Sequence, residues 1–355
     1  MKNTTRLNTL RRGRNMLLLH WKTALASALC AAAFCQPALA QVPPASVLRI
    51  DTGNAVLYNE DTADVSKFAT DPNVTTPVPT RDFTRAVALA DIQAVNGQPV
   101  MGLHTRAVIA NIVLRTAPTP GQAIADTTRN AAAVISFEIL KGDGTPIGTI
   151  MASGFAGGAS PPAAPSNVTG NNFVVTGGTG AFLGARGQVG VENPPPGVSV
   201  QRSASITEDP ANRRRNGGGT QRWVVHLIPM SAPQVLTTAG GPAVTHSSDF
   251  SLVTSSKPAA AGEVLSLFAT GLGPTMPAVD PGQPFPSSPA ATVNSPIEVK
   301  VNGNSAEVLG AVGFPGSLEG YQVNFRMPQG TAKGVATIQV SAAWIAGTVV
   351  GIAVQ

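Results

Sequence analysis

Turn-forming residues divide this chain into short extended runs, and this limits its possible folds more than any other feature. The 355 residues include 37 Gly and 30 Pro, which interrupt any long helix. The clearest run is AVISFEIL, in which Ile135, Phe137 and Ile139 alternate with more polar positions and therefore share one face of a strand. Because no helical pattern lies between the runs, the sequence predicts an all-β protein.

Eight candidate strands lie between Val47 and Met230, and they are separated by loops rich in Gly, Pro and Asn. A series of strands without intervening helices predicts an antiparallel barrel or sandwich. The candidates are Phe83–Ile92, Val100–Leu114, Ala133–Leu140, Ile147–Ser153, Asn172–Thr176, Ala185–Val191, Val198–Ile206 and Arg222–Ile228.

A second module is expected over residues 248–355. It follows a segment of small residues with a Gly-Gly-Pro, 231–247, which has the composition of a linker. Its regularly spaced candidate strands predict an Ig-like β-sandwich without the Cys–Trp–Cys core of antibody domains. These strands are Gly262–Thr270, Pro296–Val301, Ala306–Val312, Tyr321–Met327, Val335–Val340 and Thr348–Val354.

Residues 1–40 have the order of a secretory signal peptide. A basic head ending at Arg14 precedes an apolar run, Thr23–Phe34, and small residues lead to a cleavage site after Ala40. The apolar run is shorter than the roughly 20 residues that cross a bilayer. We therefore expect a secreted or cell-surface protein that does not span the membrane after cleavage.

Cleavage would change the chemistry of the chain. Both cysteines, Cys30 and Cys35, lie in the leader, so no disulfide is expected in the mature protein. Six of the 24 Lys and Arg residues also lie there, which leaves 18 basic against 19 acidic residues and a net charge of −1. The composition therefore gives no reason to expect a nucleic-acid partner.

Residues 173–187, FVVTGGTGAFLGARG, look at first like a dinucleotide-binding turn. In such enzymes the glycines open a helix whose N-terminus holds the pyrophosphate. Here ARGQVGVENPPPG follows, and its glycines and prolines exclude a helix. We interpret the segment as a strand–turn–strand corner shaped by Gly177, Gly178, Thr179 and Gly180, and we expect no cofactor.

The longer segment FVVTGGTGAFLGARGQVGV resembles the signature of the allene oxide cyclase and dirigent-protein superfamily. The resemblance implies an eight-stranded antiparallel calycin-like β-barrel over residues 81–230, preceded by an extension and first strand at 41–80. It also implies an apolar cavity for fatty-acid-derived or phenylpropanoid ligands. Ala181 stands where many dirigent-like members carry a charged residue.

The C-terminal module is similar to an uncharacterised domain of large secreted bacterial proteins that is related to Ig-like IPT/TIG folds. The similarity is carried by DFSLVTSSKPAAAGEVLSLFATGLGPT, by IEVKVNGNSAEVLGAVGFPGSLEGYQVNFRMPQG and by VSAAWIAGTVVGIAVQ. It implies an accessory or attachment module that contacts a protein or cell surface.

Four residues are candidates for ligand contacts in the barrel. Phe182 is placed to fill the interior beneath the glycine turn. Arg186 begins the next strand, where it either binds a carboxylate or enolate-like oxygen in the lumen or pairs with a neighbouring strand. Glu138 faces either solvent or the lumen. His226 is interpreted as a residue of the barrel wall or the surface, with a lumen-facing base as the alternative.

A metal site is not expected. The three histidines beyond the leader, His104, His226 and His246, are far apart in sequence and have no carboxylate or cysteine at ligand spacing.

Three functions remain open from the sequence. The first is a non-catalytic barrel that binds a small apolar or aromatic ligand. The second is an isomerase or cyclase that acts on an unsaturated lipid, with Arg186 as its polar anchor. The third is a structural or adhesive surface protein whose barrel is filled by its own side chains. The oligomeric state is left open.

Overall fold

The computed structural model describes residues 46–59, 86–113, 129–156, 172–192 and 196–355. The predicted signal peptide and cleavage site lie outside these residues. Ten strands precede residue 230: β1 (Ser46–Asn59), β2 (Ala86–Val95), β3 (Gln98–Pro99), β4 (Met101–Val113), β5 (Arg129–Leu140), β6 (Pro146–Ala156), β7 (Asn172–Gly180), β8 (Arg186–Val191), β9 (Arg202–Ser205) and β10 (Gly219–Ile228).

Eight of these strands form a closed antiparallel barrel, which confirms the predicted fold class. The ring runs β1, β2, β4, β5, β6, β7, β8 and β10, and β10 pairs again with β1. Closure leaves no free edge in the ring. The predicted strand Val198–Ile206 supplies only β9, which lies beside the ring and pairs in parallel with the end of β1.

A bulge in β1 separates its two halves. Asn54 has a φ of 51° and marks the register shift between Thr52 and Ala55. Before the bulge β1 pairs with β10, and after it one further pair with β10, Ala55 with Gly219, precedes the pairing with β9 from Val56 onward. After the bulge Leu57 pairs with Ala88, whose side chain points inward, so Leu57 also points inward. Its neighbours Val56 and Tyr58 therefore lie on the outer face.

The alternation seen in the sequence of β5 sets the barrel interior. Ile135, Phe137 and Ile139 are fully buried, as expected. They pack in one apolar cluster with residues of the other strands, including Leu48, Ile50, Ile92, Ile150, Phe173, Val189, Trp223, Val225 and Leu227.

A second sheet follows directly. Its main order is β11–β15–β20–β19–β18–β21–β22, and it nearly closes around a separate core that includes Leu265, Val323, Phe325, Ile338 and Val340. The strands of this sheet are β11 (Gln234–Val235), β14 (Val244–His246), β15 (Val264–Thr270), β16 (Thr275–Met276), β17 (Thr292–Val293), β18 (Ile297–Val301), β19 (Asn304–Gly313), β20 (Tyr321–Arg326), β21 (Gly334–Ala342) and β22 (Ile345–Val354). Two further strands, β12 (Thr237–Thr238) and β13 (Gly241–Pro242), pair with each other in a separate two-stranded sheet.

The segment 231–247 is part of this second sheet, although its composition predicted a linker. Both β11 and β14 lie within it, and both pair with β15. The strands are too short to produce a readable pattern in the sequence, and this is why composition alone misassigned them.

The hairpin between β21 and β22 reaches the barrel. Its two-residue turn, Ala343–Trp344, has φ angles of 47° and 62°, as in a type I′ turn. Ala343 and Ile345 belong to the apolar cluster of the barrel, and the Trp344 indole donates to Oε1 of Gln98 at 2.8 Å. The second sheet therefore covers one end of the barrel, which we call the sheet end.

The opposite end is called the loop end. There β1, β4, β6 and β8 finish, and the segments that connect β1 to β2, β4 to β5 and β6 to β7 lie outside the described residues. Among the described residues, Gln201 reaches this end and accepts a hydrogen bond from Arg106.

Candidate binding site in the barrel

The four residues predicted to contact a ligand do not come together. Phe182 is buried at the sheet end, where it belongs to the apolar cluster. Arg186 and Glu138 are exposed, and His226 is half-buried in outward phase to Trp223 and Val225. The idea that Arg186 or Glu138 faces the lumen is therefore corrected, because strand alternation turns both side chains outward.

The environment of His226 agrees with a position in the barrel wall. Its pKa is lowered by partial burial and by the nearby charge of Arg49. No feature of this position aims the imidazole at the lumen.

The glycine motif forms a strand–turn–strand corner between β7 and β8. A Cβ atom on Gly178 would lie 2.4 Å from the backbone oxygen of Phe182 and 2.7 Å from that of Thr149. Gly180 has a φ of 60°, which favours glycine. Backbone packing therefore accounts for these two glycines without a phosphate ligand.

Two polar residues that the sequence reasoning did not select lie inside the barrel. His104 and Arg106 alternate on β4 and are 1% and 8% exposed. His104 pairs with Ala90 and Phe137 across the neighbouring strands, and Arg106 pairs with Ala88 and Ile135. Residues opposite each other on antiparallel strands point to the same face, so both side chains face the lumen.

His104 lies in a cluster of aromatic rings. Its ring stacks on Phe137 with centroids 4.6 Å apart and planes inclined by 20°, and it also lies 4.6 Å from Trp223. Phe173 packs against Trp223 on the far side, at 6.4 Å. We call His104, Phe137, Phe173 and Trp223 the aromatic cluster.

His104 is neutral at ordinary pH. Burial lowers its pKa to about 3, and the positive charge of Arg106 contributes, although the hydrogen bond to Ser136 acts in the opposite direction. Nδ1 lies 3.1 Å from the backbone oxygen of Ser136. Because that oxygen can only accept, Nδ1 carries the proton and Nε2 presents a lone pair.

The guanidinium of Arg106 is buried, and few neighbouring groups compensate its positive charge. Its Nη2 donates to Oε1 of Gln201 over 3.4 Å, which is a long hydrogen bond. Among the described residues no carboxylate lies within ion-pair distance of it. Burial lowers its pKa, which is the direction expected for a charge without a nearby acid.

Three buried polar atoms of the lumen lack a hydrogen-bond partner: Nε2 of His104, Nε of Arg106 and Nε1 of Trp223. More than nine-tenths of buried polar groups in proteins are paired, and leaving one unpaired costs about 1–3 kcal/mol. Three such atoms on neighbouring inward positions mark this lumen as the candidate site.

Alanines line one side of the lumen next to Arg106. Its partner on β2 is Ala88, followed by Ala90 on the same strand. Its partner on β5 is the larger Ile135, which is fully buried. An eight-stranded barrel is just wide enough for its own side chains or for one small ligand. A ligand beside Arg106 would therefore lie against the alanines of β2.

Asp91, Arg213, Arg214 and Asn54 form a polar cluster on the outer face, which we call the Asp91 cluster. The carboxylate of Asp91 accepts hydrogen bonds from Arg213, from Arg214 at 2.8 Å and from Asn54 at 2.9 Å. Burial opposes ionisation, but the bonds from Arg214 and Asn54 lower the pKa of Asp91 overall. The short Arg213–Asn216 helix is thus fixed against the barrel wall.

A cavity at the junction of barrel and second sheet is too small for a ligand. Its volume is about 20 Å³, and Ala181, Gly273, Ser295 and Ala343 are among its lining residues. A space of this size holds one water molecule.

In the part of the chain that the structure describes, His, Cys, Asp and Glu side chains do not gather in groups of three that could hold a metal ion. The helices of this part are too short or too polar to cross a membrane.

No family model, curated protein or solved structure matches the chain. The relationships suggested by the GGTG motif and by the C-terminal blocks are therefore resemblances of sequence.

Proposed function

We propose that the protein is a non-catalytic binding protein whose barrel holds one small, largely apolar or aromatic ligand. The observation that carries the proposal is the set of unpartnered polar atoms of His104, Arg106 and Trp223 in an otherwise apolar lumen. Small-molecule sites have this composition, with many apolar walls and a few polar groups that fix orientation.

In this proposal the ligand enters from the loop end, because described residues of the second sheet cover the sheet end. The Ala343–Trp344 turn covers the sheet end, and the row Ala88, Ala90 begins on the side of the loop end. A ligand that enters from the loop end would meet Arg106 before His104, since β4 runs from the sheet end to the loop end.

Binding is favoured over catalysis by the position of Arg186. The isomerase hypothesis used this residue as its polar anchor, and its side chain is exposed. His104 is a weak candidate for a general base, because its pKa of about 3 leaves little driving force to hold a transferred proton. In this proposal the protein is exported, and the second sheet serves as an attachment or contact module.

Native mass spectrometry of the protein isolated from its own secreting cells tests the proposal. The expected result is an added mass that corresponds to one small molecule per chain and is released by an organic solvent. A bare polypeptide mass, together with failure to take up an apolar probe, would support the structural alternative and overturn the proposal.

A further inference from the structure

We infer that the ligand carries a single carboxylate, which pairs with Arg106 inside the barrel; this inference rests on the proposed function. Arg106 is 8% exposed, its Nε has no hydrogen-bond partner, and its one side-chain hydrogen bond among the described residues is the long one to the neutral Gln201. A buried charge is costly unless an opposite charge and hydrogen bonds compensate it.

The geometry of the guanidinium selects the class of ligand. Arginine presents its N–H donors in a planar fork that matches the two oxygens of a carboxylate. Such a pair gains strength in an apolar lumen, where water does not compete for the donors. The unused Nε–H of Arg106 is one arm of this fork.

The surroundings of Arg106 limit the ligand to one negative charge. Among the described inward positions of the barrel Arg106 is the only cation, because His104 is neutral and its Nε2 is an acceptor. A second anionic group would face that lone pair or the aromatic cluster, where the indole N–H of Trp223 is the one free donor and the described residues offer no second positive charge.

The size of the neighbours defines the rest of the ligand. Ala88 lies beside Arg106 on β2 and Ile135 lies beside it on β5, while His104 of the aromatic cluster lies about 7 Å away, two residues along β4. The ligand would thus present a flat or slender apolar body to the alanine-lined wall and hold its carboxylate at Arg106.

A pair of probes with the same ring system tests the inference. Binding of 2-naphthoate and of the uncharged 2-naphthalenemethanol is measured by calorimetry with the full mature chain. Wild type is expected to bind the acid about tenfold more tightly or better, as charge-assisted hydrogen bonds do. Arg106→Met should remove this preference and still bind the alcohol, whereas Arg106→Lys should keep part of it.

Arg49→Met serves as the control, because Arg49 is exposed on the outer face of β1. It should keep the full preference for the acid. Equal binding of acid and alcohol by wild type, or an unchanged preference in Arg106→Met, overturns the inference and leaves the proposed function standing. If wild type binds neither probe, the proposed function fails with it. The comparison of the two probes on wild type is decisive even if Arg106→Met does not fold.

Discussion

The imidazole of His104 stacks on the ring of Phe137 inside the barrel, with centroids 4.6 Å apart. This contact places a titratable ring where a positive charge is poorly tolerated, and burial lowers its pKa to about 3. In the unfolded chain the same ring takes up a proton near pH 6.5.

The stability of the protein should therefore fall with pH in the window set by His104. Above pH 6.5 both states are neutral and the contribution is constant. Below it the unfolded state binds the proton first, so the free energy of unfolding should drop by about 1.4 kcal/mol per pH unit until the folded pKa near 3 is reached.

Urea unfolding of wild type and His104→Phe at pH 7.5 and 5.5 measures this effect. The variant should lose much less stability than wild type between the two values. His226→Gln is the control, because His226 is only half-buried and should account for a small part of the loss. An identical pH dependence of wild type and His104→Phe would contradict the assignment.

Two adjacent glycines of the motif should respond differently to alanine. A Cβ on Gly178 would meet backbone oxygens of Phe182 and Thr149, whereas a Cβ on Gly177 would meet nothing within 4 Å. Gly178→Ala should lower the free energy of unfolding by about 1–3 kcal/mol, as overpacking does. Gly177→Ala should change it by no more than about 0.5 kcal/mol. Thermal unfolding of both variants checks this, and similar melting temperatures would refute the packing role of Gly178.

The β21–β22 hairpin should be necessary for a stable barrel. Ala343 is 1% exposed, so Ala343→Glu would bury a charge without a partner and should cost about 3 kcal/mol or more. Val335→Glu lies on the same hairpin at a position that is 77% exposed and should be tolerated. Scanning calorimetry of the two variants distinguishes them, and the idea of a covered sheet end fails if Ala343→Glu melts like wild type.

The Asp91 cluster should contribute more to the free energy of unfolding than an ion pair at the surface. Asp91→Ala leaves the side chain of Arg213, which is 10% exposed, without its acid, and should cost about 3 kcal/mol. Asp51→Ala breaks the pair with Arg222, whose side chain is 49% exposed, and should cost at most about 1 kcal/mol. Denaturant midpoints give the comparison. Equal losses would show that the helix at Arg213–Asn216 is not held by Asp91.

The local part of this fold could be predicted from the sequence. Alternation in AVISFEIL placed Ile135, Phe137 and Ile139 inside the barrel, and glycine chemistry placed a corner between β7 and β8. Both features depend on neighbouring residues, so a short stretch of sequence contains the whole signal.

The site itself could not be found in the same way. In the stretch GLHTRAV, Leu103 and Ala107 lie on one face of the strand, and His104 and Arg106 lie on the other. Because Leu103 and Ala107 are apolar, the pattern does not show that His104 and Arg106 face the lumen. The alternation alone does place His104 and Arg106 on one face, and this was the usable signal. The contact of Trp344 with Gln98 joins residues 246 positions apart and has no local signature at all.

Titration with the neutral apolar fluorophore N-phenyl-1-naphthylamine tests the central claim most directly. Wild type should bind one molecule per chain. Ala88→Leu should abolish binding, because Ala88 faces the lumen beside Arg106, and Ala107→Leu should not, because Ala107 is exposed on the next position of β4. Absence of binding by wild type, or unchanged binding by Ala88→Leu in a folded protein, would contradict a ligand site in the barrel.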